Sequence, residues 1–154
     1  MKEPARARAE QALTDVGLAL LFLVLPHGIE GDGRRRFLAL LELLQRHTIS
    51  PIPYSMVGPL VSTPLYFLDR LFGTPEWWIA RFNVIVLAAG LLIVDRVTRE
   101  EVDRSLVRKF FLLILAASMF PNHVRGYFPE TFTAVCVAVG ILEQRTCVRK
   151  IFLP

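Results

Sequence analysis

The stretch GIEGDGRRRFLALLELLQRH, residues 28–47, sets two carboxylates, Glu30 and Asp32, among glycines and directly ahead of Arg34, Arg35 and Arg36. A carboxylate at the edge of an apolar surface is suited to take a proton from a hydroxyl. Guanidinium forks match phosphate oxygens, and a helix N-terminus adds its own attraction for anions. Together these types fit a transfer in which a hydroxyl is deprotonated while a phosphate departs. Blander readings fit the same residues. Asp32 in Gly-Asp-Gly is a good turn residue or helix N-cap, and the arginines would equally bind anionic lipid headgroups.

A second candidate cluster lies in FPNHVRGYFPE, residues 120–130, with His123, Arg125 and Glu130. Its alternatives are a solvated turn for His123 and Arg125, and a helix-start carboxylate favouring the dipole for Glu130. Arg81 and Asn83 stand near the start of an apolar run, where they would touch a substrate, or where Arg81 would snorkel to an interface. There is no Gly-rich phosphate loop and no Cys/His metal spacing, and His27, His47 and His123 are scattered with no nucleophile beside them. No metal site or resident cofactor is expected, although a divalent cation stays open. Cys136 lies inside an apolar run, eleven residues from Cys147, which argues against a disulfide framework.

These residues must be held by something, and the composition says what. The chain has 154 residues, 53% of them apolar, with a mean hydropathy of +0.45. The apolar residues come in blocks with the charges between them, the pattern of an all-α polytopic membrane protein rather than a nucleic-acid binder. Four blocks are expected to span, at about 12–26, 77–94, 110–124 and 127–142. Each barely reaches the roughly 17–25 residues a helical span needs, a shortfall that snorkelling ends and local thinning of the bilayer can cover. A fifth block, YSMVGPLVSTPLYFLDRLFG, holds Pro59, Pro64 and the Asp69–Arg70 pair and is not expected to span. Without it, Lys2, Arg6 and Arg8, the basic 95–109 loop, and Arg145, Arg149 and Lys150 fall on one side. That side is the cytoplasm by the positive-inside bias, and the 27–76 excursion is external. The first block also fits a signal peptide, but PHGIEGDG offers no small-x-small cleavage site, so it is read as a retained anchor.

Within the excursion, a helical wheel over 34–46 gathers Phe37, Leu40, Leu41 and Leu44 on one side and Arg35, Glu42 and Arg46 opposite. Such a helix is expected to lie in the membrane interface with its apolar face in the acyl boundary. Pro51 and Pro53 predict an extended link. A second short helix is expected from about Gly58 to Gly73, with Trp77 and Trp78 in an aromatic belt.

In this order the pieces EGDG at 30–33, RRRFLALLELLQRH at 34–47, TPLYFLDRLFG at 63–73 and WWIARFNVIVLAAG at 77–90 resemble the N-terminal part of the GT-C superfamily of integral-membrane glycosyltransferases. The nearest likeness is to the branch of protein mannosyltransferases and aminoarabinose transferases. ASMFPNHVRGYFPETFTA is similar to that family's second external loop, and the likeness covers nearly the whole chain. It implies a sugar transferred from a polyprenyl-phosphate donor on the extracytoplasmic face. Asp32 matches the catalytic acid position, Glu30 stands beside it, and Arg34, Arg35, Arg36, His123, Arg125 and Glu130 would hold substrate or phosphate. The chain departs from the family in two ways. Its acidic motif is Glu-Gly-Asp rather than adjacent acids, and family members typically carry about twice as many spans or more, so it looks like an N-terminal portion or minimal relative completed by further helices or an oligomer. The rival expectation is a non-catalytic membrane scaffold binding lipid or a partner protein, and a third is a small transporter-like subunit. The enzyme requires Asp32, the arginine helix and Glu130 to converge on one external hollow; the scaffold lets them point apart.

Overall fold

Seven α-helices make up the chain among the described residues: α1 Glu3–Leu23, α2 Gly31–Arg46, α3 Val57–Phe72, α4 Phe82–Val97, α5 Arg104–Ala116, α6 Phe120–His123 and α7 Pro129–Phe152. A 3-10 turn, Ile79–Arg81, leads into α4. The computed structural model describes residues 3–74 and 76–152, with side chains over 4–74 and 76–144. Lys2 and the side chains of Arg145, Arg149 and Lys150, which enter the charge argument above, lie outside the described residues, as does the side chain of Cys147. The fold is all-α; the nearest approach to a sheet is a single parallel bridge between Gly28 and Gly126.

Four helices, α1, α4, α5 and α7, form a bundle and alternate in direction. Glu10 of α1 accepts a hydrogen bond from Arg108 of α5 at 2.8 Å, and Gly17 faces Leu115 further along, so α1 and α5 run parallel. On the other side of the bundle Asn83 reaches the residues just before α7, and Gly90 backs onto Val135, so α4 and α7 also run parallel. Arg81, entering α4, donates to the carbonyl of Phe22 at the end of α1, which makes those two antiparallel. The start of α1, the 98–103 turn and the far end of α7 therefore share one end of the bundle. Residues 24–81 and the 117–128 turn share the other. Leu21, Val84, Leu87, Leu91, Val107, Phe111 and Val124 fill the space between helices, each buried side chain stabilising by about 1.5–3 kcal/mol. The bond from Arg108, aided by Arg6, holds the Glu10 carboxyl below the usual carboxylate range against the effect of burial.

Helix ends depart from the apolar blocks for local reasons. The first block becomes a helix that starts earlier, at Glu3, because the charged stretch ahead of it pairs with itself one turn apart: Arg6 with Glu10, Gln11 with Asp15. It stops at Leu23, short of the expected Pro26. The second block was expected from Trp77, but the two tryptophans precede the helix. The expected third span, 110–124, is two helices. Pro121 would clash with the carbonyl of Ala117 and offers it no N–H; α5 ends there, and the Ser118 hydroxyl accepts from the Phe120 N–H to start α6. The fourth begins at Pro129, whose absent N–H costs nothing at a helix start. Among the described residues no helix is long and apolar enough to cross a membrane. α4 and α5 have 16 and 13 residues, and α1 and α7 carry charged ends.

The largest correction concerns α2. Its apolar face was expected in the acyl boundary, yet Phe37 and Leu40 are buried, and Leu41 and Leu44 partly so, against Tyr66, Ile79, Phe82 and Tyr127 of the same chain. The wheel identified the right face, but α3 and the second turn cover it. The uncovered apolar stripes lie elsewhere: Val57, Leu60, Val61, Phe67 and Leu71 on α3, Leu13, Val16 and Leu20 on α1, Leu106, Phe110 and Leu113 on α5.

Asp69, whose charge argued against a fifth span, caps the 3-10 turn that leads into α4. Its carboxylate accepts from the backbone N–H groups of Trp78 (2.8 Å) and Ile79 (3.1 Å) and from the Thr74 hydroxyl (3.3 Å), while Gly73 takes the left-handed conformation that ends α3. Asp69→Ala strips those donors of their acceptor and should destabilise the fold by about 1–3 kcal/mol, read as a lowered denaturation midpoint in detergent. Exposed Arg70→Ala should change stability by no more than about 0.5 kcal/mol.

Candidate functional site

The end of the bundle that carries α2 and α3 brings the acid-and-arginine segment against the second turn. Gly28 donates its N–H to the Arg125 carbonyl at 3.1 Å, and Arg125 Nε donates to the Pro26 carbonyl at 3.1 Å. The Tyr127 carbonyl lies so close to Gly33 that a Cβ there would stand 2.5 Å from its oxygen. Glycine at 33 is what lets the first turn of α2 sit on that backbone. The turn is held from two further sides. Asn83, fully buried, donates from its amide to the carbonyls of Gly126 (2.6 Å) and Phe128 (2.8 Å), and the Tyr127 hydroxyl meets Ser62 Oγ of α3 at 2.5 Å.

The proline link supplies the other wall. His47 takes a left-handed conformation and closes α2, its N–H bonding to Leu43 and that of Thr48 to Glu42. From Arg46 the chain returns along α2: Ser50 donates to the Glu42 carboxylate, and Tyr54 donates to Asp32 Oδ1 at 2.8 Å. Fourteen helical residues cover about 21 Å, and eight residues cover about 25 Å only if extended. The link is not fully extended: Ile52 N bonds back to the Ser50 carbonyl across Pro51 and the chain bends at Pro53 and Tyr54, so the long tyrosine side chain covers the rest of the way to the start of the helix. There the Arg36 guanidinium stacks 4.4 Å from the Tyr54 ring centroid. Arg36 Nε is buried and has no hydrogen-bond partner.

The eight residues singled out from the sequence thus occupy distinct settings. Asp32 is exposed in the first turn of α2 and held by Tyr54. Glu30 is exposed at the position preceding the helix, where its carbonyl accepts from Arg34 N and its side chain makes no cap. Arg34 pairs with Glu76 at 2.5 Å, Arg35 is exposed, and Arg36 is half-buried. Arg125 is committed to the Pro26 carbonyl. His123 is half-buried in α6, and Glu130 is exposed in the first turn of α7. A cavity of about 740 Å³ opens between α2 and α3, lined by Phe37, Leu44, Tyr66, Arg70 and Glu76 among others, and by none of the eight. The backbones converge; the two acids, Asp32 and Glu130, do not share that hollow. Among the described residues no group of three or more His, Cys, Asp or Glu gathers as a metal site.

Two side chains weighed as substrate contacts have internal work instead. Arg81 does not snorkel: it is buried, donating from Nε to the Phe22 carbonyl at 2.6 Å and from its terminal nitrogen to the Trp77 carbonyl at 2.8 Å, with its guanidinium 3.7 Å from the centre of a Trp77 ring. Asn83 is the strap described above. His27 bonds the Leu21 carbonyl at 2.7 Å, and burial pushes its imidazole below the ordinary range. Sequence reasoning missed Tyr54, because nothing in PIPYS marks a tyrosine that folds back over twenty residues. Comparison of the chain with protein-family models, with curated proteins and with solved structures finds no match.

Proposed function

We propose that the chain is a multi-pass membrane protein of GT-C-like type that transfers a sugar from a polyprenyl-phosphate donor at the bundle end bearing α2 and α3. The membrane reading is supported by the exposed apolar stripes on α1, α3, α5 and α7, since contiguous uncovered apolar side chains mark a membrane or partner contact. The alternation of α1, α4, α5 and α7 agrees with spans, α4 and α5 requiring a locally thinned bilayer. Both termini then lie on the cytoplasmic side, in company with Arg96, Arg99, Arg104 and Arg108. Further helices or an oligomer would complete the walls of a lipid-sugar cavity.

The single observation that carries the chemistry is the apposition of Asp32, Tyr54 and Arg36 at the start of α2. Asp32 would take the proton of the acceptor hydroxyl as its oxygen bonds to the sugar's anomeric carbon. The bond from that carbon to phosphate breaks, and its electron pair leaves on the polyprenyl phosphate, whose charge faces Arg36 and Arg35. Glu30 stands two residues before Asp32 in the chain, while His123 and Glu130 lie on α6 and α7, and no contact among the described residues brings them to this apposition. Asp32→Asn should lower transfer about 100-fold or more while leaving membrane insertion intact, assayed in vesicles with polyprenyl-phosphate hexoses. Transfer at the native rate would remove Asp32 from the reaction.

A second reading has its own support. Glu130 and Asp32 line no common hollow, so the convergence expected of the enzyme is not met and the arrangement is the one expected of the scaffold, and Arg34 is already neutralised by Glu76. A non-catalytic protein that binds a lipid phosphate through Arg35 and Arg36 would look the same. In that case the native chain binds polyprenyl phosphate and transfers nothing, and Asp32→Asn leaves the affinity unchanged.

A further inference from the structure

The link between α2 and α3 returns along α2, and Tyr54 is the side chain it delivers to the start of that helix. Its hydroxyl donates to one oxygen of Asp32, and its ring carries the Arg36 guanidinium on its face. One side chain therefore touches both the proposed base and the proposed phosphate cation. It does so from a separate element, tied down by the bond from Ser50 to Glu42 and by two prolines. Arg36 makes no carboxylate pair among the described residues, and its Nε lacks a hydrogen-bond partner. The stack on Tyr54, with burial against the 127–129 turn, is what orients this cation. With Oδ1 of Asp32 occupied by Tyr54, Oδ2 is the oxygen left for an incoming hydroxyl.

Resting on the function proposed above, we infer that Tyr54 is the positioning residue of this site, aiming the Asp32 carboxylate through its hydroxyl and the Arg36 guanidinium through its ring. The two contacts separate by substitution. Tyr54→Phe removes the hydroxyl and keeps the stack; Tyr54→Leu removes both. Neither residue change buries a charge or opens the core, since Tyr54 lies at the surface edge of the link.

The test uses the full chain in lipid nanodiscs and reads two quantities. Binding of undecaprenyl phosphate alone, measured by native mass spectrometry, reports the cation and needs no turnover. It should be unchanged within twofold in Tyr54→Phe and weakened about tenfold in Tyr54→Leu, the same loss as in Arg36→Gln. Transfer from polyprenyl-phosphate hexoses reports the acid. Tyr54→Phe should lower kcat about tenfold with the donor KM unchanged, and should add no further loss in an Asp32→Asn background. Equal affinity in the Leu and native chains overturns the hold on Arg36. A native kcat in Tyr54→Phe, or a loss that persists at full size without the Asp32 carboxylate, overturns the hold on Asp32. If instead Asp32→Asn transfers at the native rate, or the native chain transfers nothing, the sugar-transfer reading falls. The binding comparison then still decides whether Tyr54 orients Arg36.

Discussion

Cys136 will resist a membrane-impermeant maleimide in intact lipid vesicles and react to completion once the vesicles are dissolved in SDS, whichever side the reagent is added from. The force of this result comes from its position. Cys136 is exposed on the surface of α7 and unpaired, so the protein itself offers no shield. In the membrane reading proposed above, lipid, or a further helix packed there, covers that face and slows the reaction, and the expected contrast is nearly all-or-none. Val137 and Ile141, on the same helix, are exposed as well and would share the lipid contact. Cys147 should react in the same vesicles from the cytoplasmic side only. Rapid labelling of Cys136 in vesicles would remove α7 from the bilayer. Labelling of Cys147 from the outside would overturn the shared cytoplasmic end of the two termini.

Replacing Asn83 by Leu should produce the largest loss of stability of any single change at this end of the bundle. The side chain is fully buried, and its amide donates to two carbonyls, those of Gly126 and Phe128. Leucine has similar bulk and no donor, so both carbonyls lose this partner, at about 1–3 kcal/mol each, offset in part because leucine also removes the buried Asn83 Oδ1, which has no partner. The denaturation midpoint in detergent should fall accordingly. The 126–128 turn would lose its tie to α4, and with it the surface on which Gly33 sits. Any sugar transfer should then decline although Asn83 touches no substrate, and Asp32→Asn should retain the native midpoint. An Asn83→Leu chain as stable as the native one would mean that the two carbonyls find other donors, and the turn would not depend on this strap.

Much of the helical plan was legible in the sequence because it rests on local rules. The second excursion helix, expected from about Gly58 to Gly73, is α3, Val57–Phe72, with Gly73 as its left-handed end. The wheel over 34–46 picked out Phe37, Leu40, Leu41 and Leu44, the residues that α2 buries. What the wheel could not say is which surface covers them. An apolar face is satisfied equally by acyl chains or by protein, and the choice belongs to α3 and Tyr127, which lie far away in the chain. The third apolar block reads as continuous because hydropathy does not register that Pro121 lacks an N–H.

The candidate site divides along the same line. Residue types and their neighbours along the chain determined the acid-and-arginine start of α2, the break at Pro121 and the left-handed end of α3 at Gly73, since each follows from backbone chemistry within a few residues. Tertiary structure alone decided that Tyr54 returns to Asp32, that Asp69 caps a turn ten residues on, that Arg81 and Asn83 serve carbonyls rather than a ligand, and that Arg34 is spent on Glu76. A polar side chain takes the partner that packing brings within 3 Å. Which partner that is depends on how separate helices meet, and no spacing along the chain encodes it.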